Sequence, residues 1–472
     1  TSLGPCLDSP CAPGEDGVLG TADDPGIPNQ TSFDAGALSL WEGIVSLDVS
    51  RQLSAGLRSP VNVAAGAAFR RESYRVTAGE RASWIQGWHP DRTGGIAPAG
   101  SQVFPGFRPT DASENWRSNV GAYLDLEADV APRLLANVAG RFEHYSDFGS
   151  RVTGKLAARW QPSEQWTVRG AVSTGFRAPA LSQSWFSSTV TNFRTGDDGR
   201  PEAFDIGIFP VSSAAARVLG ARALRPETSV NASAGFAFSP MQGMNFTADY
   251  YFIDLRDRIV LTTSLGTDSV AAILHGNGLA VDAAQYFTNA LHTRTHGVDV
   301  TGEWRMALSG DRSLGLTGVF NYTKNRIVDT GTLPPELEGT GAVLFDPFGE
   351  GGLLVIEKER PIWRGTLTGT FATGPWSFLA RASGYAKVTS SLYSYSEDAV
   401  QTYPGKTLFD LEAGRAFAGR GKLSLGVKNL FDTFPDRMND DNSFGIFLYP
   451  PASPFGYNGR YVYARMEIGT GR

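Results

Sequence analysis

The sequence has few of the residues that build catalytic and metal centres, with two cysteines, five histidines and five methionines among 472 residues. Charged residues make up 19% of the chain, which is below the roughly 25% of an ordinary soluble domain. Lysine and arginine total 42 against 48 acidic residues, and no block of like charge occurs. Nucleic-acid binding requires a clustered basic surface, so this composition excludes it.

Long apolar runs are also missing from the chain. No stretch approaches the ~18 consecutive apolar residues of a membrane-spanning helix, which excludes a helical membrane protein. The chain opens on Thr1 without an initiator methionine or a signal-peptide pattern. We therefore expect an upstream segment that was processed off or lies outside this sequence.

The short motifs of common enzyme classes are absent too. The sequence contains no GxSxG nucleophile elbow, no HExxH zinc motif, no phosphate-binding P-loop and no Rossmann glycine run after a strand. We predict that the chain is not an enzyme.

A repeated strand pattern is what the sequence does contain. From residue 39 onward, segments of about ten residues alternate apolar and polar side chains with period two, which indicates half-buried strands. In residues 120–130, Val, Ala and Leu alternate with Gly, Tyr and three carboxylates. Three carboxylates on one strand face cannot lie in a dry core. The predicted class is all-β, with one face of each strand in contact with water.

The connections between these strands alternate in length. Short turns at 131–133, 239–243 and 373–375 alternate with long polar loops at 79–115, 177–225 and 431–458. A soluble sandwich or propeller has no reason to sort its loops in this way, whereas a transmembrane barrel has short periplasmic turns and long extracellular loops. We predict an antiparallel transmembrane β-barrel with about 15 strands in this chain. Because bacterial barrels have even strand numbers, we expect the remaining strands upstream of Thr1.

Several segments resemble the barrel of TonB-dependent outer-membrane receptors. They read STGFRAPALSQ at 173–183, KNLFDTFPD at 428–436 and SPFGYNGRYVYAR at 453–465, with FRRESY, SQVFPGF and RFEHYSDFGS upstream in family order. The resemblance implies a barrel of about 22 strands that is filled by an N-terminal plug and lies in the outer membrane of a Gram-negative bacterium. It implies as partners the outer-membrane lipid, the plug with the upstream barrel strands, the TonB complex and a small-molecule or oligomeric nutrient.

Two features depart from the family pattern. The chain contains no plug or TonB box, and it ends in EIGTGR without a terminal aromatic residue. The predicted function is TonB-energised uptake of a scarce nutrient, with siderophores, cobalamin, glycans and peptides all open. A passive porin-like channel and a secreted soluble β-rich binding protein are the alternatives.

Residues 1–38 are predicted to form an extracellular loop, followed by the barrel portion over 39–472. Cys6 and Cys11 lie close together in this loop, which favours a local disulfide over a free pair. Asp16, Asp23 and Asp24 lie among glycines, and such oxygen ligands suit calcium, although the spacing is not that of an EF-hand. The alternative is a solvated acidic loop, and the predicted function requires no cofactor.

Arg177 lies where a strand meets the longest loop, and Pro179 ends that strand. Its guanidinium is expected either to contact the plug or to pair with a neighbouring barrel carboxylate.

Aromatic residues of the loops are candidates for a ligand-binding mouth, with packing among the loops as the alternative. They are Trp84, Trp88, Trp185, Phe186, Phe444, Phe447 and Tyr449. His292 and His296 share one face of a strand about 13 Å apart, too far to hold one metal. We expect these two histidines in the lumen or in loops.

Overall fold

The structure is a computed structural model that describes residues 15, 32–85, 99–101, 104–195, 201–346, 352–391, 400–417, 421–439 and 447–468. Antiparallel strands dominate it, and fifteen of them form one sheet in which neighbours follow one another along the chain. These strands are β1 Ala37–Leu53, β2 Val61–Thr77, β3 Ser113–Ala131, β4 Leu134–Tyr145, β5 Gly149–Trp160, β6 Trp166–Arg177, β9 Glu227–Phe238, β10 Met244–Leu261, β12 Phe287–Ala307, β13 Arg312–Asp329, β14 Trp363–Thr373, β15 Trp376–Tyr385, β18 Lys406–Phe417, β19 Gly421–Lys428 and β20 Tyr461–Ile468.

The remaining elements lie in the long loops. A three-stranded sheet comprises β7 Ser188–Thr195, β8 Pro201–Ile208 and β11 Ala283–Gln285, and a two-stranded sheet comprises β16 Val388–Ser390 and β17 Gln401–Tyr403. The short helices are α1 Arg81–Trp84, α2 Leu181–Trp185, α3 Ala214–Val218, α4 Asp268–Gly276 and α5 Leu353–Glu357, with a 3-10 turn at Pro335–Leu337. None of the helices in the described part of the chain is long and apolar enough to cross a membrane.

The alternation of turn lengths predicted from the sequence is confirmed. Few residues separate β3 from β4, β9 from β10 and β14 from β15, whereas all of the helices and the two small sheets lie in loops at the opposite ends of the strands. Gly243 shows why one tight turn needs glycine: its φ is +81°, and an added Cβ would lie 2.4 Å from the carbonyl oxygen of Arg305. The all-β antiparallel class and the fifteen-strand sheet are therefore both confirmed.

Each strand of the large sheet has an apolar face and a polar face, as the period-two pattern predicts. On β3, Leu124 and Val120 lie on the apolar face and are exposed, while Tyr123 and Asp125 lie on the polar face. The side chains of the polar face bond to one another across strands: Tyr123 donates to Asp48 at 2.8 Å, and Asn137 donates to Asp125 at 2.7 Å. The carboxylates are thus paired on one face, and the aliphatic residues of the other face are left uncovered by protein.

The main buried apolar cluster lies in the loops rather than against the sheet. Residues 178–226, 262–286 and 330–362 contribute to it, and we call these three loops the cap. Its most buried large side chains include Leu219, Leu265, Leu274 and Leu337. Backbone pairing joins the loops, since β11 runs parallel to β8 and the amide of Thr263 donates to the carbonyl of Leu344 at 2.8 Å. The long loops are therefore a folded layer with a core of their own.

Candidate functional site

The polar face of the sheet carries arginine–carboxylate pairs along its height. Arg169 donates through Nε to Oδ1 of Asp249 at 2.7 Å, and Arg465 donates to Glu412 at 2.8 Å. Tyr463 donates its hydroxyl to the same Glu412 at 2.6 Å. Each contact reaches across one intervening strand and neutralises charge. The charges on this part of the fifteen-stranded sheet, which we call the wall, are therefore largely satisfied by one another.

A cavity of about 530 Å³ lies between this polar face and the loops, and we call it the mouth cavity. Strands β13, β14 and β15 supply one side of it, and the segment around α5 together with the loop after β19 supplies the other. Its lining includes Asn321, Thr323, Asn325, Glu357, Glu359, Arg360, Arg364, Tyr385 and residues 451–454. Amides, carboxylates and guanidiniums from separate elements thus converge on one space.

The two carboxylates of the mouth cavity have partners within the protein. Glu357 accepts the backbone N–H of Ile327 at 2.7 Å, and Glu359 accepts the hydroxyl of Ser390 at 2.5 Å. The side chains of Arg360 and Arg364, by contrast, form no hydrogen bond or ion pair within the part of the chain that the structure describes. A guanidinium presents five N–H donors in a planar fork that matches carboxylates and other planar oxyanions. The cavity therefore offers two cationic groups whose donors are available to a bound anion.

Aromatic rings cover one end of the mouth cavity. Phe455, in the loop after β19, lies with its ring centre 5.7 Å from that of Tyr385 at the end of β15. In the same loop, Tyr449 stacks between Phe434 and Tyr457, with ring centres 5.6 and 6.3 Å apart. Aromatic packing of this kind folds the loop against the wall. The loop thus closes the side of the cavity.

The structure separates the aromatic residues predicted for the mouth into two groups. Trp185 and Phe186 pack against a buried cluster of Tyr74, Val76, Phe107 and Leu181, and Trp84 donates its indole N–H to the carbonyl of Gly79 at 3.1 Å. Tyr449 and Phe447 lie in the loop between β19 and β20, at the opposite end of the fifteen-stranded sheet from β2. Phe186 also packs edge-on against Phe107 of another loop, as the packing alternative expects, while Tyr74 and Val76 of that cluster belong to β2. Ligand contact at these residues stays a prediction.

Arg177 forms a two-pronged pair with Glu227 on the adjacent strand β9. Its Nε and Nη2 donate to the two carboxylate oxygens at 2.7 and 2.6 Å, and Glu227 also accepts the backbone N–H of Ile259 at 2.7 Å. Glu227 is buried, whereas the Arg177 side chain is more than half exposed. The pair has the geometry of the barrel-carboxylate alternative, and contact with a plug stays a prediction.

Several predicted residues lie outside the described residues. They are Cys6, Cys11, Asp16, Asp23, Asp24, Trp88 and Phe444. Within the described ranges, no group of three or more His, Cys, Asp or Glu side chains is arranged to hold a metal ion. The disulfide, the calcium loop and the boundary at residue 38 therefore stay predictions.

The expectation that His292 and His296 face the lumen or the loops is wrong. His296 pairs with Lys324 and lies two residues from Val298 on the apolar face of β12, because side chains alternate along a strand. Its Nδ1 lies 2.7 Å from the hydroxyl of Tyr250, and Nε2 of His292 lies 3.0 Å from Asp254.

Arg360 and Arg364 were not identified from the sequence. They belong to the segment EKERPIWR at 357–364, which is dense in charge just before β14. That density was a usable signal, but a charged run before a strand is ordinarily solvated. Only the fold brings this segment against β13 and β15.

The family model described as "TonB dependent receptor-like, beta-barrel" matches residues 19–430 of the chain. Among curated proteins, the iron-regulated outer membrane virulence protein of Vibrio cholerae is 25% identical over 201 residues, which are 43% of this chain and 26% of that protein. The chain thus matches about a quarter of the length of this relative.

Solved structures share the fold at low sequence identity. The siderophore receptor PirA from Acinetobacter baumannii has a TM-score of 0.59 and 18% identity, covering 95% of this chain and 57% of that one. The ferric enterobactin receptor PfeA from Pseudomonas aeruginosa has a TM-score of 0.61 and 15% identity, covering 94% and 56%. The chain spans somewhat over half the length of these receptors.

The relatives are outer-membrane receptors of Gram-negative bacteria, and the predicted location in that membrane is confirmed. The family is one of receptors and transporters rather than enzymes. The turn lengths, the two-faced strands and the match over residues 19–430 agree, and the chain belongs to the family of TonB-dependent receptor β-barrels.

Proposed function

We propose that the chain forms the wall and outer loops of a receptor that takes up an anionic ferric chelate of the siderophore class, energised by TonB. The observation that carries the proposal is the mouth cavity with the unpaired guanidiniums of Arg360 and Arg364. Both groups lie on elements fixed by the wall, since Arg364 is in β14 and Arg360 lies just before it. Charge-assisted hydrogen bonds from such donors are the strong ones in protein sites.

The names of similar proteins support this substrate class. PirA is described as a siderophore receptor, PfeA as a ferric enterobactin receptor and FecA as a ferric citrate transporter. Enterobactin and citrate both bind iron through oxyanions, so their ferric complexes present negatively charged oxygen to a receptor. Two guanidiniums in one cavity match that chemistry.

The proposal includes the partners that the resemblance implies. A plug would contact the polar face, where Arg177 has N–H donors beyond the two that it gives to Glu227. The cap and the loop after β19 would capture the chelate, and movement of the plug driven by TonB would open the path through the polar face. Outer-membrane lipid would cover the apolar face.

Isothermal titration of the purified native gene product tests the substrate class. The probes are ferric enterobactin, ferric citrate and a neutral tris-hydroxamate ferric chelate. We expect binding of at least one anionic chelate, and the double substitution Arg360→Gln/Arg364→Gln should weaken it by at least about tenfold, since one charge-assisted hydrogen bond is worth roughly 1.5–3 kcal/mol. The matched control is Arg305→Gln, an exposed arginine at the short-turn end of β12.

Two outcomes would contradict the proposal. Equal affinity of the double variant and the native protein would show that the mouth cavity does not bind the chelate. Steady ion conductance of the purified protein in planar bilayers without TonB would favour the passive channel instead.

A further inference from the structure

A group of cations lies on the apolar side of the wall, away from the mouth cavity. On the apolar face of β10, β12 and β13, successive cross-strand rows contain Tyr250, Val298 and Tyr322, then Phe252, His296 and Lys324, then Asp254, Arg294 and Arg326. Arg256 follows on β10. We call Arg256, Arg294, Lys324 and Arg326 the basic patch.

The height of the basic patch follows from strand geometry. Ten residues separate Met306, near the short-turn end of β12, from His296. At ~3.3 Å per residue and a tilt of ~40°, this distance corresponds to roughly 25 Å across the membrane, the height of the apolar band of a transmembrane barrel. The basic patch therefore begins where the apolar band ends, on the side of the long loops.

Aromatic residues mark the same boundary. Tyr250 and Tyr322 occupy the last row below the cations, and Tyr322 pairs with Trp363 of the next strand. Tyrosine and tryptophan concentrate at membrane interfaces because one end of the side chain is apolar and the other is polar. The row above this aromatic row faces lipid headgroups rather than acyl chains.

The charge of the basic patch is only partly neutralised by protein. Asp254 is buried among its neighbours and accepts from Arg256 at 2.9 Å, from Arg294 at 2.8 Å and from His292 at 3.0 Å. Asp329, at the end of β13, accepts the backbone N–H of Gly331 at 3.1 Å, and Asp257, next to Arg256 on β10, accepts from Arg225 at 2.8 Å.

Lys324 and Arg326 are exposed, and neither side chain forms an ion pair or hydrogen bond within the described ranges of the chain. Arg326 is directly opposite Arg294, and like charges in that position repel. The wall thus holds cations together without enough anionic partners of its own.

We propose that the basic patch binds the phosphate groups of a phosphorylated glycolipid in the outer leaflet. Phosphate is the anion that a membrane interface supplies at this depth, and arginine and lysine both bind it well. The acyl chains of the same lipid would lie along the apolar face below, against Val298, Val300 and Phe320. One glycolipid molecule would then neutralise the charge of the basic patch and cover the apolar surface below it.

The test measures how much of a bisphosphorylated diglucosamine lipid the native gene product retains in detergent micelles, by native mass spectrometry over a titration. We expect Lys324→Gln/Arg326→Gln to weaken retention by about 25-fold, since each cation near an anionic membrane surface contributes roughly fivefold. The charge-conserving variant Lys324→Arg/Arg326→Lys should bind like the native protein. The matched control, Arg305→Gln/Arg312→Gln, removes the same charge at the opposite rim, from the end of β12 and the start of β13, and should leave retention unchanged.

Two further arms identify the source of the phosphate. The same lipid without its phosphates should bind at the level of the double variant, and inorganic phosphate alone should neither bind measurably nor displace the lipid. Unchanged retention by the double variant, or equal retention of the dephosphorylated lipid, would overturn the proposal. Full displacement by inorganic phosphate would overturn it as well, because the patch would then be a site for soluble anions.

Discussion

The cap and the wall of this protein place their apolar side chains in opposite ways. In the cap, Leu219 and Leu274 have no exposed surface, while in the wall Leu156 and Val152 are 61% and 75% exposed. The cap meets water and buries its aliphatic residues against one another, which is the ordinary hydrophobic effect. The wall leaves them uncovered by protein and keeps its polar groups on the other face, which is the arrangement of transmembrane barrels whose outer face contacts lipid.

With lipid as the proposed cover of the apolar face, two solvents act on one chain. Stability of the wall depends on inter-strand hydrogen bonds and on matching the apolar band, because no backbone group can remain unpaired in lipid. Stability of the cap depends on close packing of a small core. Substitutions that affect the stability of the cap and of the wall differently therefore test this comparison.

Truncation of a cap core residue should have the largest effect. Leu274→Ala removes a fully buried side chain of α4, and we expect a loss of about 2–5 kcal/mol from the cap because a cavity remains. Limited proteolysis and hydrogen exchange of residues 262–286 would measure it. The matched control is Leu156→Ala in the wall, where lipid or detergent would fill the space left by the side chain and little stability should be lost. A loss of stability comparable to that of Leu274→Ala would contradict the comparison.

A charge on the apolar face of the wall should be nearly as harmful. Leu156 lies four residues from Trp160 at the turn rim, near the middle of the apolar band. Leu156→Arg should cost about 2–4 kcal/mol in a bilayer, measured as a shift of the refolding equilibrium in lipid vesicles. The adjacent Ala157→Arg places the same charge on the polar face and should cost little. Equal costs at the two positions would mean that the faces are wrongly assigned.

Arg177→Ala tests how the wall balances charge. The substitution leaves the buried carboxylate of Glu227 with one backbone donor, and we expect a loss of about 1–3 kcal/mol from the wall. Denaturation of the protein with and without its plug would measure the effect. An equal loss in both would assign Arg177 to barrel pairing alone, and a larger loss with the plug present would support the plug contact.

The smallest expected effect is a pH dependence of the cap. Burial, with a contribution from Glu336, raises the pKa of Tyr286 to about 12, and its hydroxyl donates to the carbonyl of Leu219 at 2.9 Å. The ordinary pKa of tyrosine is about 10. The stability that this residue contributes is therefore fully present below pH ~10 and is lost as the pH rises toward 12.

Alkaline titration of hydrogen exchange in the cap would show this loss. Tyr286→Phe should abolish the dependence at a cost of roughly 1 kcal/mol for the missing hydrogen bond. A dependence that persists in Tyr286→Phe would assign it to another group.

The sequence was sufficient to predict the strands of the wall, because the alternation within each strand identifies its polar and its apolar face. Period-two alternation at residues 120–130 and the sorting of turn lengths are local, and both are confirmed. The cap was not predicted, because its core is assembled from residues such as Leu219, Leu274 and Leu337 that are distant along the chain. The strand pattern of the wall gives no indication of that assembly.

The candidate site shows the same limit. Arg177 was identified because a motif contains it, but its partner Glu227 is fifty residues away. Arg360 and Arg364 were missed because the sequence does not show which groups surround a charged segment, and such a segment is ordinarily solvated. The expectation for the histidines fails for a different reason: His296 has the same parity as Val298, so alternation within β12 already assigns it to the apolar face.

The sequence by itself determined the fold class, the approximate number of strands and the family, because hydrophobic period, turn length and family motifs are properties of short segments. Tertiary structure alone decided which cations remain without partners and which loops share a core. Those properties depend on contacts between segments, and the energy of a charge or an apolar group is set by what surrounds it.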